Sequence, residues 1–274
     1  MVKFLLKKSY SRKDLKEKKF KDLWNAHGVF TTMWIYGKPQ KILFFKEHIT
    51  NLIKSTKNYK IYDRNLKKNI FKIIKSNLNK QKNYNHLLRI AVTKSLISIS
   101  LRDKLKIKKN LQLKLVNYNR IKPEHKNLKY KFILKNLSKM DNTKSDIALC
   151  SNGKILETGT SNIIFIKDNK YYSPIRKFYR GVNLKFFEKH FRIKKTNINI
   201  NNLNEYEEIL LIGSGKGVST VSSIKEKNWN RKKYKSYETF VSKYQTQILK
   251  QKKLSNYLWE ILIIRAYSVL QRKR

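Results

Sequence analysis

The chain has 274 residues, of which 40% are hydrophobic and 12% aromatic, so it can bury a substantial core and is not expected to be disordered. Its 64 lysines and arginines against 18 acidic residues give a formal net charge of +46. Such a charge either attracts a polyanion, such as nucleic acid or an anionic membrane surface, or reflects a compositional bias towards lysine. The basic residues run almost evenly along the chain, whereas a nucleic-acid-binding protein concentrates them on one face or in a tail. This distribution favours the compositional bias.

A single cysteine, Cys150, excludes an intramolecular disulfide and a cysteine-based metal cluster. The five histidines show no paired spacing of metal ligands, so no metal site is predicted. A leucine pair at 5–6 is followed at once by two lysines, which leaves no apolar stretch of signal-peptide length. The apolar stretch 257–270 is interrupted by Glu260 and Arg265 and is too short for a membrane span. We therefore expect a cytoplasmic protein without a membrane segment.

The first 120 residues alternate between stretches typical of strands and of helices. Two stretches rich in β-forming residues flank Gly37-Lys38-Pro39, which favours a hairpin, and the apolar residues that follow recur at helical spacing. We interpret residues 1–120 as an N-terminal α+β domain. In chain order, the predicted elements are strands at 30–36 and 41–45, helices at 48–58 and 65–78, strands at 87–93 and 96–100 that form a second hairpin, and a strand at 111–116.

Residues 121–274 show a different succession of predicted strands and helices, and we interpret them as a C-terminal α/β domain. Asn152-Gly153 and Asp168-Asn169 are strong signals for tight hairpin turns. An apolar strand at 208–213 runs into a glycine loop, 213–217, whose closely spaced backbone N–H groups and hydroxyls suit a phosphate. The other predicted elements are helices at 128–140, at 184–191 and, with a basic character, from 232 onward, and strands at 146–150, 154–157, 163–167 and 170–173.

Four blocks of this second half form a recognisable series. In the first, Lys126 is followed by a leucine two positions on and by Tyr130 four positions on. The second is Glu157-Thr158-Gly159-Thr160-Ser161-Asn162, which follows a strand and an Asn-Gly turn and leads into another apolar strand. The others are Arg180-Gly181-Val182-Asn183 and the glycine loop with its flanks, 212–221. In order and spacing, these four blocks resemble four motifs of class-IV aminotransferases. The motifs are the segment of the Schiff-base lysine, the Glu-x-x-x-Ser-Asn strand, the Gly-Ile-Thr turn and the phosphate loop.

The resemblance implies that the protein binds pyridoxal 5'-phosphate, which acts as an electron sink while the protein supplies attachment, orientation and electrostatics. Lys126 would be the catalytic residue, since it would form the Schiff base and then move the substrate's α-proton. Glu157 would accept a hydrogen bond from the pyridine nitrogen, and Tyr130 would contact the ring hydroxyl. The cofactor phosphate would lie among the backbone amides of Val182 and Asn183 and the hydroxyl and amides of Ser214 and Gly215.

The N-terminal half resembles the family more loosely. Its segment 27–33 is similar to the Gly-x-Phe-x-Thr hairpin that lines the substrate side, which assigns Phe30 and Thr32 to the substrate. The next helix is similar to one that carries an arginine for the cofactor phosphate, but this chain has Asn51 at that position. Asparagine replaces neither the charge nor the fork of an arginine. Either Lys54, one turn on, supplies the charge, or the cofactor is held more weakly.

As a whole, the resemblance implies an α+β, two-domain fold-type IV enzyme, similar to D-amino-acid aminotransferase, with the cofactor between the domains and a homodimeric assembly. The compact length and the Phe30-Thr31-Thr32 hairpin favour 4-amino-4-deoxychorismate lyase, which eliminates pyruvate to give 4-aminobenzoate for folate synthesis. One alternative is an aminotransferase for branched-chain or D-amino acids with 2-oxoglutarate. The other, motivated by the charge and by Asn51, is a basic nucleic-acid-binding protein on a degenerate enzyme scaffold.

Overall fold

The computed structural model of the protein describes residues 3–108 and 110–257, which contain two β-sheets. The first sheet is built from β1 (Phe4–Ser11), β2 (Glu17–Lys18), β3 (Gly28–Gly37), β4 (Lys41–Ile42), β5 (Tyr84–Thr93) and β6 (Leu96–Asp103). These strands are antiparallel and follow the order β2-β1-β6-β5-β3-β4. The two long central strands, β3 and β5, pair along their whole length.

Two helices, α1 (Phe45–Asn58) and α2 (Leu66–Asn77), cover one face of this sheet. Alternate residues of β5, such as Leu88 and Ile90, are fully buried with both helices in one apolar core. Because successive side chains of a strand point to opposite faces, Arg89 lies on the other face, where residues of both sheets meet around a cavity. One face of the first sheet therefore carries the core and the other carries polar groups.

The second sheet is built from β7 (Leu111–Asn117), β8 (Ser145–Ser151), β9 (Lys154–Thr158), β10 (Asn162–Lys167), β11 (Lys170–Pro174), β12 (Ile193–Thr196), β13 (Ile198–Asn199), β14 (Glu208–Gly213), β15 (Gly217–Ile224) and β16 (Trp229–Asn230). Their order is β12-β11-β10-β14-β15-β7-β8-β9-β13, with β16 paired to β15. This sheet is mixed, because β7 runs parallel to both β15 and β8.

Three further helices belong to the second half: α3 (Lys131–Leu137), α4 (Val182–Glu188) and α5 (Lys235–Lys250). Aromatic residues of α4 and α5, Phe187 and Phe240, are fully buried against one face of β10 and β14. The other face of these strands packs in a separate core. Among the described residues, no helix combines the length and the apolar character that a bilayer span requires.

Most of the predicted elements are confirmed, including both hairpins of the first half, the two helices between them and the short strands of the second half. Helices are also confirmed within 184–191 and after 232, although α4 begins and ends earlier than predicted. Residues 258–274 of the predicted C-terminal helix lie outside the described residues.

Two predicted boundaries are wrong. The strand expected over 41–45 ends at Ile42, because Phe44 adopts a left-handed conformation (φ 55°) and α1 begins at Phe45. The helix expected from 128 begins only at Lys131. Its first predicted turn is not helical, since Leu128 donates its backbone N–H to Gly28 O at 3.0 Å instead of joining the helix. In both places, a tertiary contact outweighs the local helical or strand pattern.

The change from the first to the second sheet falls between Asp103 and Leu111. Strand β7 precedes residue 120 but pairs only with strands of the second sheet. The division of the chain into domains at residue 120 stays a prediction. What matters for the site is that the segment after β7 returns to the first sheet and places Lys126 beside β3.

Candidate active site

Lys126 is held at the junction of the two sheets by backbone contacts. Its carbonyl oxygen accepts the N–H of Phe30 at 2.8 Å, and Asn127 forms an antiparallel bridge with Val29. Glycine at position 28 allows this approach, because a Cβ there would lie 2.8 Å from Leu128 Cδ1 and 2.3 Å from the carbonyl oxygen of Val92 on β5. The conformation of β3 therefore fixes the position of the lysine backbone.

The Lys126 side chain lies among aromatic rings, and Glu157 is the carboxylate whose charge acts on it. Lys126 Nζ is 5.1 Å from the ring centre of Phe30 and 5.4 Å from that of Tyr179, and it forms no ion pair with any acid in the described part of the chain. Burial, reinforced by the charge of Arg120, lowers the pKa of Lys126 to about 8. A substantial neutral fraction of this amine is therefore available near neutral pH.

Glu157 is buried and forms an ion pair that the sequence did not predict. Its Oε1 accepts the Nε–H of Arg120 at 2.5 Å, and its Oε2 accepts the backbone N–H of Tyr179 at 3.3 Å. Burial is the largest influence on Arg120 and lowers its pKa, but the charge of Glu157, the hydrogen bond to Glu157 and the neighbouring tyrosine Tyr130 together outweigh burial and keep that pKa above its usual value. Because the guanidinium stays protonated, it stabilises the carboxylate form of Glu157 within a buried region.

Arg120 also organises the chain that carries the lysine. Its Nη2 donates to the carbonyl oxygen of Pro123 at 2.7 Å and its Nη1 to that of His125 at 3.3 Å. Its guanidinium carbon lies 5.5 Å from the ring centre of Tyr130. One buried side chain thus links Glu157, the Lys126 segment and Tyr130.

The segment 157–162 is held in place by Asp146, which is fully buried on β8. Its Oδ2 accepts the hydroxyls of Thr160 at 2.8 Å and Thr158 at 3.2 Å, and Lys216 Nζ lies 3.5 Å from the same oxygen. Asn162 bridges to the next turn, since its Oδ1 accepts the Gly181 N–H at 3.0 Å. These contacts connect the second, third and fourth sequence blocks into one structure.

The start of α4 and the glycine loop together form another wall of the site. Asn183, the second residue of α4, borders the first cavity, and its side chain donates to the Tyr244 hydroxyl at 3.1 Å. The Ser214 hydroxyl lies 3.2 Å from His48 Nε2, and His48 Nδ1 lies 2.9 Å from the Thr31 hydroxyl. Burial, with a smaller effect from Lys126, lowers the pKa of His48 to about 3. This histidine is therefore neutral at physiological pH.

Asn51 is contacted by a lysine from the other half of the chain. Lys185, on α4, donates from Nζ to Asn51 Oδ1 at 3.1 Å. Lys54, which the sequence pointed to, is exposed. Burial and the charges of Arg180 and Lys54 lower the pKa of Lys185. Lysines of both halves thus surround the asparagine.

The structure brings the residues predicted from the sequence into two adjoining cavities, with Lys126 in the wall of both. The first cavity also contains His48, Tyr179 and Asn162. The second adds Arg89 and Arg102. Of the predicted residues, the first cavity is lined by Lys126, Tyr130, Glu157, Val182, Asn183 and Ser214, and the second by Lys126, Tyr130, Ser214, Gly215, Phe30 and Thr32.

The side chains of the first cavity fit pyridoxal phosphate in their chemistry. A lysine with a lowered pKa, a buried carboxylate with a cationic partner and a tyrosine converge there, and free helix-start amides stand opposite. Burial raises the pKa of Tyr130 to about 12, so its hydroxyl keeps its proton. These side chains and amides thus match the aldehyde, the pyridine nitrogen, the phenolic oxygen and the phosphate of the cofactor.

Comparisons with known proteins agree with this fit. A sequence profile of the family described as Amino-transferase class IV matches residues 28–224. The fold is similar to that of a branched-chain aminotransferase from Thermoproteus uzoniensis, with a TM-score of 0.70 and 15% identity over 92% of this chain and 97% of the other. Comparison with curated protein sequences gives no match.

Two further solved structures are similar over most of their length. One is a Mycobacterium tuberculosis protein assigned as an aminotransferase, in its PLP-bound form, with a TM-score of 0.65 and 13% identity over 89% of this chain and 99% of the other. The second is a Legionella pneumophila protein assigned as a 4-amino-4-deoxychorismate lyase, with a TM-score of 0.64 and 16% identity over 81% and 91% of the two chains. The predicted fold-type IV architecture is confirmed, and the chain belongs to the class-IV aminotransferase family of pyridoxal-phosphate-dependent enzymes.

Proposed function

We propose that the protein is a 4-amino-4-deoxychorismate lyase, which splits its substrate into 4-aminobenzoate and pyruvate. The observation that carries the proposal is the second cavity, where Lys126 faces Thr32 and two arginines, Arg89 and Arg102. A cationic cavity beside the reactive amine suits a substrate with two carboxylates. An aliphatic amino acid would instead place its side chain in this cationic cavity and offer Arg102, which Asp22 does not pair, no carboxylate.

Pyridoxal phosphate, when bound, supplies the electron sink that makes a proton on the carbon next to the substrate nitrogen removable. Lys126 would hold the cofactor through Nζ, and the same amine would take up that proton from the substrate. The bond between the neighbouring ring carbon and the enolpyruvyl oxygen then breaks. The departing enol takes up a proton and leaves as pyruvate, so that the ring becomes aromatic and the protons balance.

The other side chains of the first cavity orient the cofactor in this proposal. Glu157 would accept a hydrogen bond from the pyridine N–H; burial raises its pKa, and its pairing with Arg120 opposes that effect and favours the carboxylate. Tyr130 binds the ring hydroxyl. The amides of Val182, Asn183 and Gly215 and the hydroxyl of Ser214 would hold the phosphate.

The pKa of Lys126 predicts how fast the cofactor-free protein takes up pyridoxal phosphate. Only the neutral amine attacks an aldehyde. With a pKa of about 8, the neutral fraction rises with pH and levels off above that value. We expect the uptake rate, followed by visible absorbance, to rise about tenfold per pH unit below pH 8. A rate that keeps rising to pH 10 would show an unperturbed lysine.

Lys185 is the proposed cation for the cofactor phosphate, because from α4 it contacts Asn51, the residue that stands in place of the family's phosphate arginine. Lys185→Ala is expected to raise the dissociation constant of pyridoxal phosphate about tenfold, as for the loss of one charge-assisted hydrogen bond. The exposed Lys54→Ala serves as the matched control and should leave that constant within a factor of two. Absorbance titration of cofactor-free protein measures both. Equal effects of the two variants would contradict the assignment.

An amino-acid aminotransferase is the second candidate, because the solved structure with a TM-score of 0.70 is a branched-chain aminotransferase. To separate the candidates, the enzyme is supplied with 4-amino-4-deoxychorismate in one reaction and with branched-chain and D-amino acids plus 2-oxoglutarate in others. The lyase releases 4-aminobenzoate and pyruvate in equal amounts. Glutamate formation without 4-aminobenzoate would exclude the lyase and favour the aminotransferase.

The net charge of +46 motivates a third candidate, binding of nucleic acid by the same scaffold. This function predicts an affinity for DNA or RNA that falls steeply with salt, and the absence of affinity at low salt would remove it. We further expect a cytoplasmic homodimer. Sedimentation analysis of the purified protein tests the assembly, and fractionation of cells tests the location.

A further inference from the structure

The second cavity contains more positive charge than its own acids compensate. Arg89 is neutralised, since its Nη2 donates to Asp22 Oδ1 at 2.6 Å and its guanidinium carbon lies 4.2 Å from the ring centre of Trp24. Arg102, also in the cavity wall, is half-buried and forms neither an ion pair nor a side-chain hydrogen bond with the residues that the structure describes. One guanidinium of the cavity is therefore available to a ligand.

The register of the first sheet orders these groups along the cavity. Phe30, whose N–H donates to Lys126 O, marks the end nearest the reactive amine. On β5, Ala91 pairs with Phe30, and Arg89 lies two residues further from that end. Leu87 lies two residues further again and pairs with Arg102 on β6. Each two-residue step is about 7 Å along the strand. Arg102 therefore stands at the far end of the cavity from Lys126.

The surroundings of Arg102 make a free guanidinium costly. Burial lowers its pKa, and no acid opposes that effect. Burial also lowers the pKa of Arg89, to which the charge of Arg102 contributes, so the two guanidinium groups are close enough to repel. A buried cation without a partner is stabilised when a carboxylate binds it, and the planar fork of arginine binds both carboxylate oxygens at once.

We propose that Arg102 is the specificity-determining residue that binds the carboxylate at the end of the substrate farthest from the reacting amine. Asp22 keeps Arg89 occupied, so Arg102 alone presents an uncompensated guanidinium at that end. The substrate class that follows is an amine with a remote carboxylate, as in a ring that carries the two groups at opposite positions. The inference rests on the proposed function only in that the substrate lies in this cavity beside Lys126.

A matched pair of probes tests the role of Arg102 without any turnover. Glutarate and pentanoate have the same chain length, but only glutarate has a second carboxylate. Both are titrated by calorimetry into the protein loaded with pyridoxal phosphate. We expect the wild-type protein to bind glutarate at least about tenfold more tightly than pentanoate. Arg102→Gln should remove this preference by weakening glutarate binding, with the affinity for pentanoate unchanged.

Two further variants serve this test, one as a substitute for Arg102→Gln and one as a control. Arg102→Lys retains the charge without the fork and should keep part of the preference, so it replaces Arg102→Gln if that variant does not fold. Arg64→Gln removes an exposed arginine outside the cavity and should leave both affinities unchanged. Glutarate binding that is unaffected in Arg102→Gln, equal affinities of both probes in wild type, or no binding of glutarate would each overturn the proposal. Failure of the lyase assay alone would not, because the probes report binding only.

Discussion

Lys126→Ala is expected to abolish turnover and the visible absorbance of protein-bound pyridoxal phosphate. The side chain is the amine that borders both cavities, and its lowered pKa makes it nucleophilic near neutral pH. A positioned acid–base group alone contributes roughly 10²–10⁴-fold to a rate, so turnover should fall by at least about a thousandfold. Spectra of the dialysed variant and a steady-state assay of product formation measure the two effects.

Lys131→Ala is the matched control in a chain with so many lysines. Lys131 is exposed at the start of α3, five positions from Lys126, and lines neither cavity. Its replacement should leave the spectrum and the turnover unchanged. If Lys126→Ala retained the absorbance after dialysis and borohydride reduction labelled a different lysine, the assignment of the site would be wrong.

The first cavity could be assembled from the sequence because its chemistry lies in short blocks with fixed spacing. Lys126 and Glu157 are each recognisable from their neighbours in the chain, and the strands that carry Glu157 follow strong turn signals. No local pattern identified Arg120 as the partner of Glu157. It is one of 64 basic residues, and only the return of the chain to β3 brings the two together.

The second cavity was harder to predict for a geometric reason. The sequence of β5 predicts a strand, but a strand pattern does not tell which distant segments pack against the face that carries Arg89. Arg89 and Arg102 belong to the face that the helices leave free. A similar difficulty hid His48, whose helical position suggested packing and whose two ring nitrogens instead contact Thr31 and Ser214.

Arg120→Met is expected to destabilise the protein by about 3–5 kcal/mol, the usual cost of leaving one partner of a buried ion pair without its counter-charge. Arg120 and Glu157 are both almost completely buried. The variant should also bind pyridoxal phosphate more weakly, because Arg120 holds the backbone of the lysine segment. Urea unfolding of the variant and of wild type, both in cofactor-free form, measures the loss of stability.

The pH dependence of that loss identifies its cause. Burial already raises the pKa of Glu157, and without the guanidinium it rises further. The pKa of this carboxyl is then higher in the folded protein than in the unfolded chain, where it is about 4.3. Between these two pKa values the folded state binds more protons, so stability decreases as pH rises from the lower to the higher value. Arg120→Met should therefore lose more stability at pH 8 than at pH 5. The double variant Arg120→Met/Glu157→Gln has no carboxyl to titrate there, and it should recover stability without recovering turnover. If the single and double variants had the same pH dependence, the buried charge of Glu157 would not be the cause.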